Sequence, residues 1–190
     1  GISGIDLIQE SESEVIELTD LKFGQTKLVL ASPEDSQINS IDDVNSEMTI
    51  ATEFPTLTKK YLKEHDLEPI IVKLSGSTEI APLIGVADLI TDLTSTGTTL
   101  KMNHLKIIDT ILESTIVLIT NEESLESKKQ LVEAVNRSIK GVIDAFGKKL
   151  IMMNVKSKDL EEVRKLMPSM EGPTISEVLS KEKTVAVQAV

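Results

Sequence analysis

Cysteine and tryptophan are missing from this 190-residue chain, and histidine occurs only as His65 and His104. Without cysteine there is no disulfide framework, no thiol nucleophile and no thiolate metal centre. Two histidines are too few for a histidine-rich metal cluster. Aromatic residues make up 2% of the chain, namely Phe23, Phe54, Phe146 and Tyr61. The core must therefore be built from Ile, Leu, Val and Met, and stacking platforms for bases are scarce. No apolar run approaches the ~18 residues of a membrane span. The start, Gly1-Ile2-Ser3-Gly4, lacks the basic stretch and apolar run of a secretion signal. Basic residues are outnumbered, 20 against 31 acidic, for a net charge of -11. No basic face stands ready for a phosphate backbone, so a nucleic-acid partner is not expected. The chain reads as a cytoplasmic protein without a membrane partner. Opening on Gly rather than Met, it reads as cut upstream.

Hydrophobic residues at 40% and charged residues at 27% are ordinary for a folded globular chain. The length suits one large domain or two small ones. Runs of β-forming residues at 26–31, 47–52, 69–74 and 86–90 predict strands. Between them, Ser40 opens a short helical turn, Pro55 starts a helix carrying Leu57, Tyr61 and Leu62, and a further short helix covers 79–84. Strands alternating with helices predict an α/β fold with a parallel or mixed sheet, whose ligands bind beyond the carboxyl ends of the strands. Beyond residue 104 two strands are expected, 105–111 and 115–120, split by Leu112-Glu113-Ser114. A long helix follows over 124–146, with Leu131, Val132, Val135, Ile139, Val142, Ile143 and Phe146 as its stripe and Gly147 as its stop. The remainder reads as strand 150–155, helix 158–167 with Ser157 as N-cap and Pro168 as terminator, then strands near 173–179 and 184–190. That β-α-β-β order opens a ferredoxin-like sandwich whose closing elements lie beyond Val190. The sequence thus reads as cut at both ends.

The segment richest in chemistry is Asp92-Leu93-Thr94-Ser95-Thr96-Gly97-Thr98-Thr99-Leu100, placed directly after the strand that ends at Ile90. Five hydroxyls surround one glycine. Gly97 can take positive φ and let successive N–H groups converge on an anion. Thr98 and Thr99 can open a helix whose N-terminus favours negative charge. Asp92 stands where a carboxylate accepts from vicinal sugar hydroxyls. On residue chemistry alone an ordinary surface turn is slightly the favoured reading, because Ser, Thr and Gly populate loops that bind nothing. No lysine follows the glycine, so this is not a Walker loop.

Gly85-Val86-Ala87-Asp88 running into Asp92–Leu100 resembles the phosphoribosyl pyrophosphate loop of ATP phosphoribosyltransferases. Further blocks match in the same order: Ala51 to Thr58, with Phe54 where tyrosine is more usual; Ser75 to Pro82; Met152 to Val155; Glu171 to Ile175; and Val185 to Val190. The last three resemble the regulatory domain of the family's long form. The resemblance implies two lobes like those of periplasmic binding proteins, with a mixed sheet, followed by an incomplete ferredoxin-like, ACT-like domain. Residues 1–22 would be a remnant of the first lobe, and 23–104 the second lobe with the loop. Residues 105–147 would return to the first lobe, and 148–190 would form the regulatory domain. Implied activity is transfer of phosphoribosyl from phosphoribosyl pyrophosphate to ATP with release of pyrophosphate, the first step of histidine biosynthesis, inhibited by histidine.

By the same resemblance, Asp92, Thr94, Ser95, Thr96, Gly97, Thr98 and Thr99 would hold phosphoribosyl pyrophosphate, with Mg2+ on its pyrophosphate. Ser75, Gly76, Ser77 and Glu79 would lie toward the nucleotide. Asn154, Met170 and Thr174 would contact histidine. A homo-oligomer is implied, and no residue is assigned as a protein metal ligand. The chemistry asks for charge stabilisation and orientation more than for a strong base. Glu53 and Glu79 are candidate bases of low weight, and His104 is given no role. The alternative is a non-catalytic small-molecule binding protein of the same fold.

Overall fold

The structure, a computed structural model, describes residues 1–167, 173–178 and 184–189. In chain order its elements are β1 (Ile2–Gly4), α1 (Ile5–Glu10), β2 (Ile16–Asp20), β3 (Thr26–Pro33), β4 (Thr49–Thr52), α2 (Pro55–Glu64), β5 (Ile70–Lys73), β6 (Leu89–Thr94), α3 (Thr98–Met102), β7 (Leu105–Ser114) and β8 (Ile116–Thr120), followed by α4 (Glu122–Ser127), α5 (Lys129–Ala145), β9 (Ile151–Lys156), α6 (Leu160–Leu166), β10 (Thr174–Glu177) and β11 (Thr184–Ala189). Two units divide the chain, Gly1–Lys140 and Gly141–Val190.

The core of the first unit follows from Leu28-Val29-Leu30-Ala31, every one of them buried. Such a continuous apolar run needs cover on both faces of a strand, unlike the alternation of a half-buried one. Side chains alternate as a strand requires. Val29 and Ala31 pack with Ala51, Ile90, Leu100 and Leu105. Leu30 faces the other way, onto Val44, Ile50, Tyr61, Leu62 and Leu89, while Leu28 meets Phe54 and Leu57. The strand order is β5-β4-β6-β3-β7. β4 is parallel to both β5 and β6, whereas β3 runs antiparallel to β6 and β7. This is the mixed α/β sheet the alternation of elements predicts.

A second, antiparallel sheet of order β1-β8-β2 completes the unit. The chain passes between the sheets twice, through 21–25 and through Thr115. Glu10, the last residue of α1, spans them: its carboxylate accepts from the N–H groups of Thr56 at 3.1 Å and Leu57 at 3.0 Å, in the first turn of α2. Those N–H groups have no partner within their own helix, so an anion there is favourable.

Several boundaries differ from expectation, each for a backbone reason. The strand expected at 86–90 runs instead from Leu89 to Thr94, because Asp88 is occupied with Thr49 while Thr91, Asp92 and Thr94 pair with Leu30, Val29 and Lys27. The helix expected at 79–84 is a single tight turn, Thr78–Ile80; Pro82 has no N–H to continue a helix. Leu112-Glu113-Ser114 does not split a pair of strands but finishes β7, paired with Leu28, Lys27 and Thr26. β7 therefore belongs to the five-stranded sheet with 26–94, not to a return into the other sheet. The long helix is two helices, broken at Lys128, whose φ of -127° is not helical. The first begins early, at Glu122, because the Asn121 side chain accepts the N–H of Ser124. None of α5's apolar stripe is buried.

In the second unit the three strands lie in the order β10-β11-β9, all antiparallel. A hairpin beside the first strand, with the helix between, is the arrangement of a ferredoxin-like opening. Helix α6 has Asp159, not Ser157, at its N-cap position. Among the described residues of this unit, Val155 and Val187 are buried, on the same face of β9 and β11. No helix among the described residues is long and apolar enough to cross a membrane.

Candidate functional site

Because β4, β5 and β6 are parallel, their carboxyl ends share one edge of the sheet, where Thr52 is in register with both Lys73 and Thr91. β6 overruns that edge by Asp92-Leu93-Thr94. Asp92 is thus a strand residue and not, as its sequence suggests, part of a loop. Its carboxylate accepts from the N–H of Leu93 at 2.7 Å. Burial pushes the Asp92 carboxyl above its ordinary 3.8. The Thr78 hydroxyl and Leu93 N–H pull it back, and the negative charges of Glu79 and Glu53 push it up again. Asp92 thus lies within the electrostatic reach of Glu53, just past β4, and of Glu79, in the turn beyond β5.

The hydroxyl-rich bend follows. Gly97 has φ of +73°, the left-handed conformation that a side chain strains. It sits immediately before α3. Its N–H donates to Thr94 Oγ1 at 2.8 Å, and that of Thr98 reaches Thr96 Oγ1 at 3.4 Å. The hydroxyls of Thr96 and Thr98 are 2.8 Å apart. Two of the bend's amides are thus engaged by its own hydroxyls. Among the described residues, none accepts from the N–H groups of Ser95 and Thr96, and that of Thr99 lies in a helical first turn, where no intrahelical acceptor exists. Ser95, Thr96, Thr98 and Thr99 are exposed. Ser95 lines a cleft of about 560 Å³ with Gln25, Thr26, Lys27, Glu113, Ser114 and Thr115, where the chain crosses between the two sheets.

Beyond β5, Gly76 and Ser77 both take positive φ, +103° and +54°. A methyl group placed on Gly76 would lie 3.5 Å from Glu53 Oε1. The turn Ser75-Gly76-Ser77 and Glu79 are therefore brought beside Glu53 and Asp92, as the sequence order alone does not reveal. The Ser77 side chain makes no helix-capping bond. His104 stands at the other edge of the sheet, exposed, its Nδ1 3.7 Å from Glu34.

Beneath this edge lies a feature the sequence reading misses. Thr52, Thr58 and Thr91 are fully buried. Their hydroxyls join one another, with Thr58 to Thr91 at 2.7 Å and Thr52 to Thr58 at 3.4 Å. The Phe54 N–H donates to Thr52 Oγ1 at 2.9 Å, and Thr58 Oγ1 donates to the Phe54 carbonyl at 2.7 Å. These bonds pin the turn that presents Glu53 and the strand that presents Asp92. The available signal was a threonine immediately preceding each candidate carboxylate.

In the second unit, Asn154 pairs through Ala186 to Ser176, and Thr174 through Gln188 to Met152. The register places Asn154 and Thr174 on the same face, opposite Val155 and Val187. Both are exposed and stand on the two outer strands, roughly 10 Å apart across β11. Met170 lies outside the described residues.

Two family models match the chain: "ATP phosphoribosyltransferase" over residues 1–141 and "HisG, C-terminal domain" over 145–190. The ATP phosphoribosyltransferase of Methanothermobacter thermautotrophicus is 58% identical over 190 residues, which cover 100% of this chain and 66% of that protein. The chain thus spans just under two thirds of this relative's length. Among solved structures, the ATP phosphoribosyl transferase (HisG:HisZ) complex from Thermotoga maritima superimposes with a TM-score of 0.69 at 33% identity, covering 76% of this chain and 69% of that one. The holo form of ArgBP from T. maritima gives a TM-score of 0.51 at 16% identity, covering 70% and 59%. That second likeness concerns the fold alone.

Proposed function

The chain belongs to the ATP phosphoribosyltransferase family, and on that premise we propose that it carries the phosphoribosyl-binding part of an enzyme that transfers phosphoribosyl from phosphoribosyl pyrophosphate to ATP. This is the first step of histidine biosynthesis. One observation carries the reading: Gly97 turns the chain so that, among the described residues, the N–H groups of Ser95 and Thr96 meet no acceptor and that of Thr99 has none within its helix, beside a half-buried carboxylate, Asp92. Such amides bind the 5-phosphate. Asp92 accepts from the ribose hydroxyls, and the hydroxyls of Thr94, Ser95, Thr96, Thr98 and Thr99 complete the polar wall.

In the reaction, a ring nitrogen of adenine attacks the anomeric carbon, the new C–N bond forms, the C–O bond to pyrophosphate breaks, and pyrophosphate leaves with the electron pair. What these residues supply is orientation of the ribose at fixed distance from the incoming base. Ser75, Gly76, Ser77 and Glu79 bound the nucleotide side, next to Glu53. Mg2+ belongs to the proposal as a companion of the diphosphate. Among the described residues, no group of three His, Asp or Glu is arranged to hold a metal ion. Residues from 148 onward are proposed as a histidine-sensing domain using Asn154, Met170 and Thr174, and the assembly as a homo-oligomer in the cytoplasm.

Calorimetric titration tests both parts. Phosphoribosyl pyrophosphate with Mg2+ should bind the chain, and Gly97→Val should weaken that binding at least tenfold, about 1.4 kcal/mol. Equal affinity in the variant, or no binding to the wild type, would refute the site. Histidine as a second titrant should also give heat; its failure to do so would remove the regulatory half.

A further inference from the structure

Glu113, Lys27 and Thr94 form a row across three adjacent strands, since Lys27 is the direct partner of Glu113 on β7 and of Thr94 on β6. Directly opposed residues of antiparallel strands project from the same face. The row therefore roots the Lys27 side chain one strand spacing from the residue whose hydroxyl accepts the Gly97 N–H. Lys27 and Glu113 both line the cleft that Ser95 enters.

From this arrangement we propose that Lys27 binds the diphosphate group of phosphoribosyl pyrophosphate, giving up Glu113 for the ligand. The proposal rests on the bend being a sugar-phosphate site and assigns the other charged end of the same ligand. The amides of the bend match a single phosphate. A diphosphate carries more charge than they can balance, in a chain whose own net charge is -11. Among the described residues, Lys27 is the one cation lining the cleft. The two arginines, Arg137 and Arg164, lie on α5 and α6.

Glu113 now holds the ammonium, with Lys27 Nζ 2.7 Å from its Oε1. Both side chains are largely exposed, at 53% and 73%. An ion pair so open to water is weak and readily exchanged. A diphosphate offers several anionic oxygens against one carboxylate, and the flexible lysine stem lets the ammonium follow it into the cleft. Glu113 thus keeps the ammonium at the cleft wall and competes with the ligand for it.

Calorimetry on the full chain with two probes, phosphoribosyl pyrophosphate with Mg2+ and ribose 5-phosphate, separates the roles. Lys27→Met should weaken the diphosphate ligand about tenfold or more while changing ribose 5-phosphate less than about twofold, in keeping with loss of a charged hydrogen bond. Lys27→Arg should retain most of the affinity, and Glu113→Gln should tighten the diphosphate ligand by freeing the ammonium. Unchanged affinity in Lys27→Met, or equal loss for both probes, would overturn the assignment. If the wild type bound neither probe, the bend itself would fail as a site and Lys27 with it. Lys27 is exposed, so melting curves of all three variants should overlay that of the wild type.

Discussion

Asp92, proposed above as the ribose contact, sits in the fold at a cost. Its carboxyl is held above the ordinary 3.8, first by burial and then by the charges of Glu79 and Glu53. A raised value means that the folded chain binds this proton more tightly than the unfolded chain. Below about pH 3.8 the neutral carboxyl therefore favours folding, and that contribution is lost as pH rises through the raised value. At pH 7 the buried charge opposes folding. Asp92→Asn removes it, so the variant should melt about 2 °C or more above the wild type at pH 7, with the gap closing below pH 3.8. Thermal unfolding at both pH values checks this; a variant that melts lower at pH 7 would show the carboxylate to be stabilising. Stability gained at the expense of ligand binding is the usual signature of a functional residue. Asp92 was legible as a lone acid after an apolar run. Its two acidic neighbours were not, because Glu53 and Glu79 lie 39 and 13 positions away and meet it only through strand register.

Hydroxyl bonding among Thr52, Thr58 and Thr91 ties β4, α2 and β6 together beneath the site. Thr58→Val keeps the shape but leaves the Phe54 carbonyl without its side-chain donor and Thr91 with Thr52 as its hydroxyl partner. Loss of buried hydrogen bonds should make this cost about 0.5–1.5 kcal/mol, readable by urea denaturation, and coupling with Thr91→Val in a double-mutant cycle should be plain. A loss below about 0.5 kcal/mol, the range of an ordinary surface change, would show the cluster to be idle. The element boundaries tell a related story. Strand cores at 28–31 and 50–52 were legible from apolar runs. The last residues of β6 and β7 were not, since polar side chains there conceal a backbone that still pairs. Likewise the stripe of α5 predicts helix correctly, while the break at Lys128 depends on the Asn121 cap starting α4 early.

For the molecule as a whole, two sheets in the first unit are joined by two short crossings, and the cleft with Ser95, Lys27 and Thr115 opens there. The alternation of strands and helices made the α/β class readable. Assignment of β7 to its sheet was not, because β3 reaches it only through long-range antiparallel pairing. The ferredoxin-like order of the second unit was readable from β-α-β-β alone, and its strand order agrees. What unites these features is a claim about five consecutive residues, Ser95 to Thr99, as an anion-binding bend. Backbone amide NMR of the full chain, titrated with phosphoribosyl pyrophosphate and Mg2+, tests it most directly. The N–H signals of Ser95, Thr96 and Thr99 should move saturably and ahead of those elsewhere, and Gly97→Val should abolish the movement; signals that stay still while the ligand binds at another place would contradict it.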